Sequence, residues 1–298
     1  MQSNLTEKTF VLTGATSGIG LAAAELLARA GTRLIGVGRS PSRCRECQQH
    51  LSAQYPQAQV RYLPTDFSEQ RQVHQLADQI SALLPSLGSN SLDGLLNNAG
   101  TFTYWLSLTP DGIETQWAVN HLAAFLLTRR LLPLLQAAPA ARVVTVSSDS
   151  HYTAHLDWRD PQLRRHYNGL GAYGNTKLAN ILFTLALRGH LGANSSVCAF
   201  AADPGLVKTD IGLKGTPSIA NLVWKIRRSG GISPEDAAAG IITLLIEPSI
   251  QESPEVYWKH GQPKRPAAQA LDREAAERLW TLSEQMCAQP TEVFNVAA

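Results

Sequence analysis

Nothing in this chain of 298 residues is apolar for long enough to cross a bilayer. The longest apolar stretch, residues 237–246, is far shorter than the ~20 residues a membrane helix needs. Charge of one sign is equally scarce. The 26 Lys and Arg against 24 Asp and Glu leave a formal net charge of +2, with no dense basic block, and so give no support to a nucleic-acid partner. The opening Met-Gln-Ser-Asn-Leu-Thr-Glu-Lys runs straight into a strand-like segment and has no signal or transit pattern, so a soluble, cytoplasmic protein is the expectation. Cysteine is sparse too. Cys44, Cys47, Cys198 and Cys287 fit a reducing compartment. Cys44 and Cys47 make a C-x-x-C near His50, but a structural zinc takes four ligands and no second pair stands at the required spacing. No metal is expected, and the thiols read as ordinary side chains.

What is present is alternation. Strand-like runs at 9–13, 33–37, 60–63, 92–96, 142–146 and 197–201 are separated by helical patterns at 20–30, 43–54, 70–84, 113–138 and 173–191. The strands are continuous apolar runs, as expected where both faces of a parallel sheet are covered. This pattern predicts an α/β fold with a single doubly wound, Rossmann-type parallel sheet and helices on both faces, in one domain spanning 1–298. Residues 209–233 break the rhythm with glycines, serines, Trp224 and the basic Lys225-Ile-Arg227-Arg228, and read as a substrate lid. The segment Ile232-Ser-Pro-Glu-Asp is a helix start with proline in the first turn. A last strand near 256–258 and a helix over 272–287 close the chain.

Directly after the first strand comes Thr13-Gly14-Ala-Thr-Ser17-Gly18-Ile19-Gly20, then a helix. Glycines there allow a tight turn and a close backbone approach to a pyrophosphate, whose charge the helix N-terminus meets. A second absence is informative. NAD sites place an acid at the end of the second strand to bind the ribose 2′-hydroxyl. This chain has Val37-Gly38-Arg39-Ser40-Pro-Ser-Arg43, with no acid and two arginines. A guanidinium fork and a small hydroxyl suit a 2′-phosphate, so NADP(H) is the expected cofactor.

Tyr173 and Lys177 are four residues apart on a helix and share a face. A nearby ammonium and a positively charged nicotinamide favour phenolate, which lets the hydroxyl exchange a proton with an alcohol or carbonyl oxygen. Ser147 and Ser148 end a strand at the carboxyl edge, where ligands bind in such sheets.

These motifs, in this order, resemble the short-chain dehydrogenase/reductase superfamily over almost the whole chain. Thr13-Gly14…Gly18-Ile19-Gly20 is similar to its glycine turn, Asn97-Asn98-Ala99-Gly100 to its fourth-strand signature, Tyr173…Lys177 to its active-site pair, and Pro204-Gly205…Thr209 to the segment before its lid. The resemblance implies a catalytic set of Asn120, Ser148, Tyr173 and Lys177. Tyr173 is then the acid/base, and Lys177 lowers its pKa and holds the nicotinamide ribose. Ser148 positions the reacting oxygen, and Asn120 supports a water-linked proton path. It also implies cofactor contacts at Gly14, Ser17, Gly18, Ile19, Gly20, Arg39, Ser40, Arg43, Asp66 and Phe67. Further contacts are implied at Asn98, Ala99, Gly100, Tyr173, Lys177, Pro204, Gly205, Val207 and Thr209, with Asp66 at the adenine. Of the two adjoining serines the motif favours Ser148, with Ser147 on the other side of the extended chain.

A narrower resemblance is to the retinol dehydrogenase-like branch. It is carried by Gln116-Trp-Ala-Val-Asn120-His-Leu-Ala-Ala-Phe-Leu-Leu-Thr128, Arg142-Val-Val-Thr-Val-Ser-Ser148, Lys177-Leu-Ala-Asn180 and the ending Tyr257-Trp258…Ala276-Glu-Arg-Leu-Trp280-Thr-Leu-Ser-Glu284. The membrane-anchoring N-terminal segment of the animal retinoid enzymes has no counterpart before Thr9, which weakens the expectation of retinoids as substrate. Thr176 replaces the usual serine, and Asp203 stands where histidine is frequent.

Aromatic residues Phe102, Tyr104, Trp105, Tyr152, Trp158 and Trp224 follow the site strands or lie in the lid. They suit a lipophilic aldehyde, ketone or secondary alcohol. His151 and His155 read as solvated loop residues. An NAD-dependent alcohol or steroid dehydrogenase and a catalytically idle NADP-binding sensor or scaffold are the alternatives. The apolar helices at 113–138 and 173–191 fit either a two-fold bundle in a homodimer or core burial within one subunit.

Overall fold

The computed structural model describes residues 5–207, 231–251 and 253–288. Its strands are β1 (Thr9–Thr13), β2 (Arg33–Gly38), β3 (Gln59–Pro64), β4 (Gly94–Asn97), β5 (Ala141–Val146), β6 (Val197–Asp203), β7 (Tyr257–Lys259) and β8 (Gln262–Pro263). They form one sheet in the order β3-β2-β1-β4-β5-β6-β7-β8. Every pairing is parallel except β7 with β8, which is antiparallel.

Parallel neighbours need crossover connections, and helices supply them. These are α1 (Gly18–Arg29), α2 (Pro41–Gln54), α3 (Gln70–Leu83), the short α4 (Thr115–Trp117), α5 (Ala123–Gln136), α6 (Gly169–Leu191), α7 (Pro234–Ile246) and α8 (Arg273–Ala288). Two apolar layers result. Phe10, Leu12, Leu27, Leu51 and Ile241 pack α1, α2 and α7 on one face. Val11, Ile35, Leu76, Phe125, Phe183 and Trp280 pack α3, α5, α6 and α8 on the other. Every residue of β1, β4 and β5 is buried, which is why those strands read as apolar runs. β3 instead alternates, with Val60 and Tyr62 buried between exposed neighbours, because it is an edge strand covered on one face.

The expected elements recur with informative differences. Helix α6 starts four residues before Tyr173. Asn168 caps it by accepting from the amides of Leu170 (3.1 Å) and Gly171 (3.4 Å), a start that the glycines at 169 and 171 conceal in sequence. The predicted helix at 113–138 is interrupted by a π turn, Ala118–Leu122, which contains Asn120. Ser233 caps α7 with Pro234 in the first turn, as its sequence predicts. The strand β8 has no sequence signal of its own. The lid expected at 209–233 falls almost wholly on residues 208–230, which lie outside the described residues, as do Thr209 and Trp224. Among the described residues no helix is long and apolar enough to cross a membrane.

Candidate active site

The strand order reverses between β1 and β4, the position at which open α/β sheets bind ligands. The glycine turn and the Asn98 segment meet there. Thr13 Oγ1 accepts from the Asn98 and Ala99 amides at 2.9 and 3.0 Å, and Asn98 Nδ2 donates to the Thr13 carbonyl at 2.9 Å. Gly14 and Gly18 have φ of +67° and +53°, which favours glycine. A Cβ on Gly20 would lie 2.2 Å from the Gly14 oxygen. The turn therefore curls back on itself and opens onto the start of α1, whose first amides have no side-chain cap at Ser17. This cradle of backbone N–H groups fits a pyrophosphate.

At the end of β2, Arg39 and Arg43 are exposed, and among the described residues no acid pairs with either. Ser40 accepts from the Arg43 amide at 3.4 Å and caps α2, so its hydroxyl is shared with the helix start. Asp66 accepts from the Ser68 amide at 2.9 Å and holds the loop after β3, beside the buried Phe67.

At the carboxyl end of β5, Ser147 points inward and donates to the Lys177 carbonyl at 2.8 Å. Ser148 faces the other way, partly exposed, and its Oγ caps the following turn by accepting from the Ser150 amide at 3.2 Å. The alternation expected from extended geometry thus separates a buried structural serine from a half-exposed one, whose hydroxyl also donates to Ser150 Oγ at 3.3 Å. Tyr173 and Lys177 share a face of α6, with Lys177 Nζ 5.2 Å from the Tyr173 ring centre and bonded to the Val146 carbonyl at 3.1 Å. Asn120 uses its side chain on the Thr101 backbone and on Thr176, to whose Oγ1 its Nδ2 donates at 3.2 Å. Oδ1 accepts from the Thr101 amide at 2.7 Å and Nδ2 donates to the Thr101 carbonyl at 3.0 Å, which fixes the strand end after Gly100.

Electrostatics at the pair differ from the expectation that Lys177 lowers the Tyr173 pKa. Burial, and then the negative charge of Asp203, push the Tyr173 hydroxyl well above its ordinary value. Burial pulls Lys177 down to about 8, opposed by Asp203. Within the protein alone Tyr173 thus holds its proton at neutral pH.

The structure supplies a role for Asp203. It is buried at the end of β6, where Oδ1 accepts from the Gly205 amide at 2.7 Å and Oδ2 from the Tyr257 hydroxyl at 2.8 Å. It therefore anchors the Pro204-Gly205 turn, where Gly205 has φ of +76°. Burial and the adjacent Asp149 push its carboxyl up. Asp149 is partly buried, which acts to raise its carboxyl, but hydrogen bonds from Lys259 and Lys264 hold it below its ordinary value. Val207 pairs with Ile232 in an isolated bridge, which joins the turn to the start of α7.

Phe102 packs edge-on against Tyr173 (6.0 Å) and Tyr104 (5.8 Å), and Tyr104 leads to Trp105, which is 69% exposed. Tyr152 donates to the Arg265 carbonyl, and Trp158 lies under Arg278 of α8, so these two serve the C-terminal segment. His155 is exposed as expected, but His151 is not solvated. His151 is buried, with Nδ1 2.7 Å from the Ser148 carbonyl and Nε2 accepting from the Ala267 amide at 3.1 Å, so it holds the serine's backbone in place. Its sequence gave no sign of this, because the partner amide lies 116 residues away. Cys44 is buried against the Gly38 carbonyl, and Cys47 lies near the Thr16 carbonyl.

A family model described as short chain dehydrogenase matches residues 8–217. Mouse retinol dehydrogenase 14 is 32% identical over 295 residues, covering 94% of this chain and 85% of the relative. Mouse polyprenol dehydrogenase is 34% identical over 280 residues, covering 91% and 81%. Among solved structures, an uncharacterized protein from Mycobacterium paratuberculosis superposes with a TM-score of 0.70 at 31% identity, covering 94% of this chain and 93% of that one. A Shigella flexneri short chain dehydrogenase solved with NADP, 22% identical and covering 88% and 100%, shares the fold with a TM-score of 0.68. A chain matched over most of its length in this way belongs to the short-chain dehydrogenase/reductase family, as an oxidoreductase of alcohols and carbonyls resembling the retinol dehydrogenases.

Proposed function

We propose that the protein is an NADP(H)-dependent reductase or dehydrogenase of a lipophilic aldehyde, ketone or secondary alcohol. The observation that carries this reading is the pair on α6, a half-buried Tyr173 and a buried Lys177. Lys177 Nζ sits 5.2 Å from the Tyr173 ring and is anchored on the Val146 carbonyl at the end of β5, the strand that Ser148 follows.

When bound, the nicotinamide supplies or accepts the hydride. The chain's own residues handle the rest. Ser148 Oγ hydrogen-bonds the reacting oxygen, and Tyr173 gives that oxygen a proton in reduction or takes one in oxidation. Lys177, anchored on the Val146 carbonyl, keeps a positive charge beside the phenol and holds the ribose. Asn120, in its π turn, fixes the segment after Gly100 and turns its carbonyl toward α6, where it supports a proton path. The glycine turn from Gly14 to Gly20, with Ser17 and Ile19, takes the pyrophosphate. Asn98, Ala99, Gly100, Pro204, Gly205 and Val207 complete the cofactor's walls, and Asp66 and Phe67 its adenine end.

NADP(H) is favoured over NAD(H) by Arg39 and Arg43, two guanidinium groups without acidic partners among the described residues, where an acid would be needed for a 2′-hydroxyl. A lipophilic substrate is supported by the Phe102–Tyr104–Trp105 aromatic edge at Tyr173. Its likeness to a retinol dehydrogenase and a polyprenol dehydrogenase points the same way.

The pair is tested by Tyr173→Phe, which is expected to lose ~100-fold or more of turnover while binding NADPH as before. Substantial residual activity would assign the proton to another group. The cofactor is tested by titrating NADPH and NADH. NADPH is expected to bind more tightly and Arg39→Asp to erase the preference, while equal affinity in the unaltered protein would overturn the assignment.

A further inference from the structure

Three of the segments that carry the resemblance to the retinol dehydrogenases meet at one buried point, through His121, Asn180 and Ser283. Asn180 lies one turn beyond Lys177 on α6. Its Nδ2 donates to two backbone carbonyls, those of Asn120 and Val146, each at 3.0 Å. The Val146 carbonyl also holds Lys177 Nζ. Carbonyls only accept, so the amide's orientation is fixed and its Oδ1 faces His121 Nδ1 at 3.3 Å. That oxygen accepts too, so Nδ1 carries the ring proton.

His121 is fully buried among Trp117, Phe125 and Phe183, and burial pulls its pKa down to about 4, so the ring is neutral. Its Nε2 is then bare and needs a donor. The Ser283 hydroxyl on α8 lies 2.9 Å away. That hydroxyl is also 2.8 Å from the Leu279 carbonyl but has one proton to give, and the chain of donors assigns it to Nε2.

We infer that Ser283 and His121 are positioning residues of the active site. A one-way hydrogen-bond chain runs from the C-terminal helix through His121 and Asn180 to the Asn120 carbonyl and to the carbonyl on which Lys177 is anchored. Asn120 sits in a π turn, where the regular helical bonding is interrupted, and π turns recur at functional sites. Asn180 replaces part of the lost local restraint, and α8 sets Asn180 through the imidazole. This assignment rests on the proposed roles of Asn120 and Lys177.

The experiment has two arms. In the first, ¹⁵N-histidine spectra of the wild-type protein without substrate read the ring tautomer, with His121→Gln identifying the resonance. The expected form is Nδ1–H with an unprotonated, hydrogen-bonded Nε2, whose shift moves in Ser283→Ala. In the second, turnover of decanal with NADPH is compared in wild type, Ser283→Ala and Ser283→Thr. Ser283→Ala is expected to lower kcat about tenfold with KM and NADPH affinity little changed, and Ser283→Thr, which keeps the hydroxyl, to restore it. An Nε2–H tautomer in the wild type would overturn the inference, because Ser283 then donates to Leu279 and the chain ends at the imidazole. So would an unchanged kcat in a folded Ser283→Ala. The tautomer is read without turnover, so its failure is distinct from failure of the Tyr173 assignment, which Tyr173→Phe reports.

Discussion

Lys177→Met would remove a charge that the fold holds at a cost. Burial pulls the Lys177 pKa from an ordinary 10.5 down to about 8, and Asp203 offsets only part of that pull. At 1.36 kcal/mol per pKa unit, the depression corresponds to about 3 kcal/mol of folding free energy. Below pH 8 the folded and unfolded chains both carry the proton, and the cost is present in full. Between about pH 8 and 10.5 the unfolded chain still binds the proton that the folded chain has released. Unfolding then takes up a proton, and the stability of the lysine protein rises with pH. Methionine fills similar space without charge, and the Val146 carbonyl keeps Asn180 Nδ2 as its donor at 3.0 Å, so no acceptor is orphaned. Lys177→Met is therefore expected to be more stable than wild type at pH 7, by up to about 3 kcal/mol, with the gap closing as pH approaches 10.5. Guanidinium unfolding at pH 7, 8, 9 and 10 measures it. A methionine variant less stable at pH 7, or a gap that does not change with pH, would refute the argument that the ammonium is held at a cost to stability.

On the proposed mechanism carbonyl reduction needs Lys177 protonated, so kcat/KM, which reports the free enzyme, is expected to fall as pH rises through about 8; a profile flat from pH 7 to 9.5 would count against the role. Gly20→Ala would put a Cβ 2.2 Å from the Gly14 oxygen and 2.5 Å from Asn98 Nδ2, so the glycine turn must shift. Its NADPH affinity, read by fluorescence titration, is expected to drop more than about tenfold. The α5 and α6 surface considered for a two-fold bundle is covered within the subunit by α8, which lays Trp280 against Phe125 (5.0 Å) and Phe183 (6.1 Å) and pairs Glu284 with Arg129. Light scattering is accordingly expected to give the mass of one chain, and a dimer that persists on dilution would show another contact surface or a displaced helix.

The parts of this molecule that were legible in the sequence are those fixed by local pattern. Apolar runs identified β1, β4 and β5 because all their residues are buried, and the Ser233-Pro234 start of α7 is a local capping signal. The glycine turn was legible because the positive φ of Gly14 and Gly18 favours glycine, and Tyr173 with Lys177 because a four-residue spacing sets a common helix face. What the sequence hid depends on distant partners. His151 read as a solvated loop residue until the Ala267 amide came to meet it, and Asp203 had no role until Gly205 and Tyr257 were seen to donate to it. The π turn at Asn120 lies inside an unbroken helical pattern, and its restraint comes from Asn180, 60 residues on. The sign of the Tyr173 shift was likewise out of reach, because it turns on burial and on the placement of Asp203 rather than on the helix spacing.

The central claim, that Tyr173 transfers the proton in an NADPH-dependent carbonyl reduction, is tested most directly by following nicotinamide absorbance for wild type and Tyr173→Phe against one panel of lipophilic aldehydes and ketones. The account predicts that the wild type consumes NADPH with at least one of them, and that Tyr173→Phe, binding NADPH equally well, consumes almost none. A wild type that binds NADPH yet reduces nothing in the panel, or a phenylalanine variant that keeps pace with it, would contradict the account.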